Sequence, residues 1–202
     1  MAKATGPTYK VAFRRRRENA TNYAKRLALV KGGKPRMVVR KTLRGVLVQF
    51  FGFSEKGDNV LAAVNSRALR GYGWAPRCNS PTAYLCGLLA GKLAAGKGVS
   101  EFNLDIGMNT PSKGAVVFAA MKGAVDSGLK TAHDAGIVDE GRITGSAIGE
   151  YAKSLKSSDE ARYRKVFSAY LKENFDPERI ADAFRAAKER ISAANAGKTD
   201  GE

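Results

Sequence analysis

The stretch RMVVRKTLRGVLVQFFGFSEKGDNVLAAVN, residues 36–65, decides the architecture of this chain. It holds three runs of strand composition, residues 36–41, 46–53 and 59–65, rich in Val and Phe. The runs are separated by Leu43-Arg44-Gly45 and by Glu55-Lys56-Gly57-Asp58. Both connections contain Gly and are short enough for hairpins, so an antiparallel meander is expected. Side chains alternate along a strand, which puts Arg36, Val38 and Arg40 on one face and Met37, Val39 and Lys41 on the other. A half-basic strand seldom turns that face to a core.

Downstream of the meander, Ser80-Pro81 supplies an N-cap and a first-turn proline, and a helix runs from there to Gly96 and Gly98. Ala83, Gly87, Gly91 and Ala94 form a small-residue stripe along it. Gly in a helix interior costs about 1 kcal/mol relative to Ala, so the stripe points to close packing against a neighbour. Residues 101–107 read as a short strand and 114–128 as a second helix. A strand between two helices favours a crossover and parallel pairing, which makes the body a mixed α/β sheet with flanking helices. From Gly141 the composition turns polar and helical. Ser157 and Glu160 have capping-box spacing, followed by an apolar face of Tyr163, Val166, Phe167, Tyr170 and Leu171. A second helix starts at Asp176-Pro177 and carries Ile180, Ala183, Phe184, Ala187 and Ile191 at the same period, so a C-terminal helical hairpin is expected, with 193–202 as a frayed tail. The resulting division is a basic arm with an anchoring helix (1–34), an α/β body (35–150) and a helical extension (151–202).

Charge is distributed unevenly over that plan. Of the 202 residues, the first 45 hold 14 Lys and Arg against one acid, Glu18, and therefore 13 of the 16 formal net positive charges. A nearly neutral body with a polycationic arm calls for a polyanionic partner, because each cation that neutralises a phosphate releases condensed counterions. Arg14, Arg15, Arg16 and Arg17 are interleaved with Tyr9, Phe13 and Tyr23. Guanidinium forks bridge phosphates and rings stack on unpaired bases, so the combination suits RNA. A helix is expected between Arg15 and Val30, with Ala20, Tyr23, Leu27 and Val30 at helical spacing. Without RNA the first dozen residues are expected to be mobile. A solvated tail or a localisation signal is the plainer alternative, but basic residues continue into the body at Lys34, Arg36, Arg40, Lys41 and Arg44.

Other classes find little support. The arm lacks a broad apolar face for a membrane surface, and the longest apolar run, 83–95, contains Lys92, so no membrane partner is expected. The N-terminus has no apolar secretory segment. Cys78 and Cys86 fit neither a disulfide framework nor a zinc pattern, and they read as ordinary cytosolic thiols. Residues 91–97 match the spacing of a phosphate-binding loop, but Gly98 stands where the hydroxyl is needed and the segment ends a helix instead of starting one. Asp58, Asp105 and Asp126 are the body carboxylates that a two-metal nuclease would need to converge. His133 is the only histidine. No catalytic residue, metal site or cofactor is expected.

Several motifs together resemble one family: PRMVVRKT, VLVQFF, GDNVLAAVNSRALRGYGW, NSPTAYLCGLLAGKLAAGKG, FNLDIG and KGAVVFAAMKGAVDSGL. They are similar to ribosomal protein eighteen of the large subunit, the 5S ribosomal RNA binder, in its archaeal form, from about Tyr9 to Gly149. Asn109 to Ser112 departs from that pattern, and the segment after Tyr151 is the least family-like. The resemblance implies a ribonuclease-H-like mixed sheet without nuclease activity, in a protein of the cytoplasmic ribosome. It implies a place in the central protuberance, with 5S rRNA, 23S rRNA and neighbouring large-subunit proteins as partners. Carried over, the RNA-binding residues are Lys10, Phe13, Arg14, Arg15, Arg16, Arg17, Tyr23 and Arg26 in the arm. Lys34, Arg36, Arg40 and Arg44 extend the surface along the sheet, and Arg67, Arg70, Tyr72 and Arg77 lie in a following loop. Trp74 in that loop is either core or RNA-facing. The competing readings are a metal-dependent nuclease on the same sheet and a nonspecific basic RNA chaperone.

Overall fold

A computed structural model describes residues 6–194. The arm holds a single helical turn, α1 (Arg14–Arg17), and a longer helix, α2 (Tyr23–Lys31). The expected single helix is broken in two because Asn19 takes a left-handed φ of 51°, which reverses the chain, and Asn22 then caps α2 by accepting from the Lys25 backbone N–H at 3.1 Å. Asn tolerates that backbone region better than most residues. The expected mobility of the first dozen residues falls partly on residues 1–5, and the frayed tail almost wholly on 195–202; both stretches lie outside the described residues.

The meander forms as read: β1 (Arg36–Lys41), β2 (Val46–Gly52) and β3 (Asn59–Asn65) pair antiparallel, with Val39 opposite Val48 and Val48 opposite Val64. A register shift at Phe50/Phe51 bends β2 against β3. The short strand β4 (Asn103–Asp105) joins β1 in parallel, giving the order β3-β2-β1-β4 and confirming the mixed sheet. One face, carrying Met37, Val39, Val46, Val48, Phe50, Ala62 and Val64, is buried under α3 (Ser80–Ala95) and α4 (Val116–Asp126). The opposite face, carrying Arg36, Val38, Gln49 and Phe51, is crossed by α2.

Twelve of the 16 residues of α3 are buried, so it is an internal helix enclosed on nearly every side. Its cap is Asn79, one residue earlier than expected: the Asn79 side chain accepts from the Thr82 N–H at 3.1 Å, and Ser80 is the first helical residue. An amide carbonyl reaches the third N–H of the turn as well as a serine hydroxyl does. The small-residue stripe has the packing reason the sequence suggested. A Cβ at Gly87 would land on the Ala120 carbonyl, and one at Gly123 on the Tyr84 carbonyl, so α3 and α4 are in backbone contact. Trp74 is 1% exposed and its indole N–H donates to Thr82 Oγ1 at 2.9 Å, which makes it a core residue.

The C-terminal part is more finely divided than a hairpin. It comprises α5 (Glu140–Thr144), α6 (Ser146–Ser158), α7 (Glu160–Val166), α8 (Ser168–Leu171) and α9 (Ile180–Ala193). Ser157 lies inside α6, and Asp159 caps α7 in its place, accepting from the Arg162 N–H at 2.9 Å. Of the expected apolar face, Tyr163, Phe167 and Tyr170 are buried, whereas Val166 is half exposed. α9 places Ile180, Phe184, Ala187 and Ile191 in the core, with Phe184 against Trp74 and Tyr84. Lys92 ties it to α3, donating to the carbonyls of Ile191 at 2.8 Å and Ser192 at 2.5 Å.

Three buried groups make the fold sensitive to alkali. Burial pushes the Cys86 thiol up to about 12 and, against the nearby Arg77 charge, the Tyr170 hydroxyl up to about 12. Tyr84 is raised further, by burial and then by its 2.6 Å hydrogen bond to Asp126. In the unfolded chain these groups release their protons from ordinary values of 9.0 for Cys86 and 10.0 for the two tyrosines. Folding holds the protons on, so this stability is fully present below about pH 9 and is lost progressively as pH rises toward 12. Thermal denaturation across pH is expected to give a Tm that falls above pH 9, less steeply in Tyr84→Phe. An equal slope in that variant would show that Tyr84 does not contribute.

Candidate nucleic-acid interface

The arm folds back on the body and displays its cations. The four arginines of α1 are all exposed. Arg14 reaches Glu18 at 3.4 Å and Arg15 donates to Thr21 Oγ1 at 2.8 Å, while Lys10, Arg16 and Arg17 have no ion-pair partner among the described residues. The rings of Phe13 and Tyr23 meet at 5.4 Å between centroids, both exposed, and so join α1 to the start of α2. Arg26 on α2 pairs with Asp58 at 2.9 Å and fastens the helix to the sheet.

Arg36 is placed differently from the surface position expected of it. Its side chain is only 5% exposed, and its terminal nitrogens pair with Asp58 and, at 3.2 Å, with Asp105. Arg40 also reaches Asp105, at 3.4 Å to the carboxylate and 3.1 Å to the backbone carbonyl. Three guanidinium groups thus share two carboxylates. Breaking such a buried pair by removing one partner is strongly destabilising, so Arg36 acts as an internal strut between Asp58 and Asp105. The network also answers the nuclease alternative. Asp58 and Asp105 do converge, but around Arg36, and Asp126 lies elsewhere, bonded to Tyr84 and paired with Lys122 at 2.9 Å. Among the described residues no group of three or more His, Cys, Asp or Glu is arranged to hold a metal.

At the β1–β2 hairpin tip, Lys41, Leu43 and Arg44 are exposed. Lys34 forms a surface pair with Glu101 at 2.5 Å, and that hydrogen bond and charge lower the Glu101 carboxyl. Exposed pairs of this kind contribute little to stability, which leaves Lys34 free to exchange partners.

The loop after β3 is a 3₁₀ helix, Ser66–Tyr72, capped by Asn65 on the Arg67 N–H at 3.0 Å. Arg67 is exposed. Arg70 and Arg77 both pair with Glu173, at 3.1 and 3.2 Å. Arg77 is further engaged by the Ala169 carbonyl at 2.5 Å and lies 5.0 Å from the centre of the Tyr170 ring. Tyr72 is half-buried against the core, and its carbonyl accepts from Arg190 of α9 at 3.1 Å. Of the four residues expected here, Arg67 and Arg70 face solvent, and Arg77 and Tyr72 serve the packing of the C-terminal helices. Glu173, which neutralises this loop, carried no signal in the sequence: its partners lie 96 and 103 residues away.

The chain matches the family described as ribosomal large subunit proteins 60S L5 and 50S L18, over residues 7–101 and 93–134. It is 47% identical over 191 residues to the large ribosomal subunit protein uL18 of Korarchaeum cryptofilum (strain OPF8), a match covering 94% of this chain and 97% of that protein. No helix among the described residues is long and apolar enough to cross a membrane.

Proposed function

Since the chain belongs to the family of ribosomal large subunit proteins 60S L5 and 50S L18, we propose that it binds 5S rRNA and helps attach it to 23S rRNA in the central protuberance. The segregation of charge carries this reading: nearly all of the net positive charge sits in the first 45 residues, and the structure leaves most of those cations exposed. The arm (1–34) supplies the phosphate contacts through Lys10, Arg14, Arg15, Arg16 and Arg17, with Phe13 and Tyr23 offering rings to unpaired bases. Arg26 and Arg40 extend the surface from the edge of the internal network, Lys34 and Arg44 from its rim, and Arg67 and Arg70 from the following loop. The body (35–150) holds these groups on a shape-matched scaffold, and the helical extension (151–202) braces the loop and faces neighbouring large-subunit proteins.

The role is assembly on the ribosome in the cytoplasm, without catalysis. Asp58 and Asp105, the carboxylates a nuclease would use, are already neutralised by arginines. Phosphate contacts position a protein on RNA and carry little sequence information, so selectivity must come from RNA shape. Competition binding of labelled 5S rRNA against transfer RNA tests this. The expected result is retention of 5S rRNA under excess transfer RNA; equal competition would make the protein a nonspecific RNA chaperone.

A further inference from the structure

A cavity of about 530 Å³ lies between α2 and the open face of the sheet. Its volume is within the range that holds a small ligand. Ala28 and Leu29 of α2 line one side, and Val38, Gln49 and Phe51 of the sheet line the other. Five basic residues, Arg15, Lys25, Arg26, Arg36 and Arg40, contribute to the lining against two acids, Asp58 and Asp105, so positive charge remains after the internal pairs are made. Two buried atoms of lining residues, Arg36 Nε and Asp58 Oδ1, have no hydrogen-bond partner among the described residues. The Arg36 guanidinium also lies 5.9 Å from the centre of the Phe51 ring.

A flat apolar ring, a neighbouring donor and acceptor, and surplus cations are together complementary to one nucleotide. Its base has two π-faces and an edge where donors and acceptors alternate, and its phosphate is an anion. We propose that this cavity receives one unstacked nucleotide of the bound RNA, its base against Phe51 and its phosphate held by the surplus cations. The inference rests on the reading that the partner is a structured RNA with unpaired segments. The arm that covers the cavity also carries the exposed arginines of α1, so a strand following those cations is led to it. A free nucleotide shares the same chemistry, and the test separates the two.

Binding of 5S rRNA is measured over a salt series for the wild-type chain, for Phe51→Leu, which keeps an apolar side chain, and for Phe53→Leu, which alters an exposed ring of the same segment outside the cavity. Stacking involves no counterion release, so Phe51→Leu is expected to weaken binding about tenfold at every salt concentration with the slope unchanged. Phe53→Leu is expected to match the wild type. In the ultraviolet cross-linked wild-type complex, a nucleotide adduct is expected on the peptide containing Phe51. Wild-type affinity of Phe51→Leu, with adducts confined to the arm, would overturn the proposal. So would displacement of the RNA by free nucleoside monophosphate, which would reassign the cavity to a free ligand. A wild-type chain that binds transfer RNA equally well fails the ribosomal reading instead, and the Phe51→Leu comparison is then made on whichever RNA binds.

Discussion

Replacing Arg14, Arg15, Arg16 and Arg17 together by alanine is expected to reduce RNA affinity by on the order of a hundredfold or more near 0.1 M salt, and to flatten the salt dependence by roughly three units of log–log slope. Each neutralised phosphate contributes about 0.7–0.9 to that slope, so four lost contacts set the size of the change. The four side chains are exposed and their few internal partners lie on the surface, so almost none of their charge is spent within the protein. Circular dichroism and melting of the variant should match the wild type, because α1 buries nothing. Fluorescence anisotropy with labelled 5S rRNA at several salt concentrations checks both numbers. An unchanged slope would remove the arm from the RNA interface, whatever the absolute affinity.

Gly87→Val is expected to be the most damaging substitution to the fold. The new Cβ falls on the Ala120 carbonyl, which is backbone and cannot rotate away, and Gly123 opposes Tyr84 in the same manner. The two helices must separate, and every side chain packed across them loses contact. Overpacking typically costs 1–3 kcal/mol and backbone conflict exceeds the usual range, so a loss of about 3 kcal/mol or more is expected. For a chain of this size that corresponds to about 10 °C in Tm, and it is a large share of a typical stability of roughly 5–15 kcal/mol. Gly71→Ala is the control: no atom of the described residues lies within 4 Å of a Cβ there, so the change should stay within about 0.5 kcal/mol. Urea denaturation of both variants measures the contrast. A Gly87→Val protein as stable as Gly71→Ala would mean that α3 and α4 do not meet as described.

Features governed by short-range chemistry were readable in the residues alone. The hairpins at Gly45 and Gly57, the alternation along β1 and the glycine stripe all depend on neighbours a few positions away or on a period the chain itself displays, and the parallel placement of β4 follows from the helices on either side of it. The alternation was right to put Arg36 on the face opposite Met37. It could not show that this face is covered, because the cover comes from α2 and the countercharges come from Asp58 and Asp105, 22 and 69 residues along the chain. The caps failed for a smaller reason. Asn79 and Ser80, like Ser157 and Asp159, are adjacent or nearly adjacent residues of similar capping ability, and packing chose between them. The split between α1 and α2 turns on the backbone of one residue, Asn19, whose side chain permits either continuation. In the proposed surface, the arm cations of the described residues are exposed, and their clustering was legible from composition. The diversion of Arg77 and Tyr72 into the C-terminal packing was not, since it depends on Glu173, Ala169 and Arg190 arriving from the far end of the sequence.

The clamp of α9 on the rest of the chain has a consequence for the order of synthesis. Arg190 reaches the Tyr72 carbonyl across 118 residues, and Lys92 holds the last turn of α9 from 99 and 100 residues away. Translation proceeds from the N-terminus, so the arm and the sheet emerge while the loop of residues 66–77 still lacks its brace. A nascent chain therefore exposes its cations before its loop is set, and a product truncated within α9 before Arg190 keeps the Glu173 pairs but lacks the contact to the Tyr72 carbonyl. The contacts of α9 therefore tie the setting of this loop to a late stage of synthesis, after the charge upstream of it is already displayed.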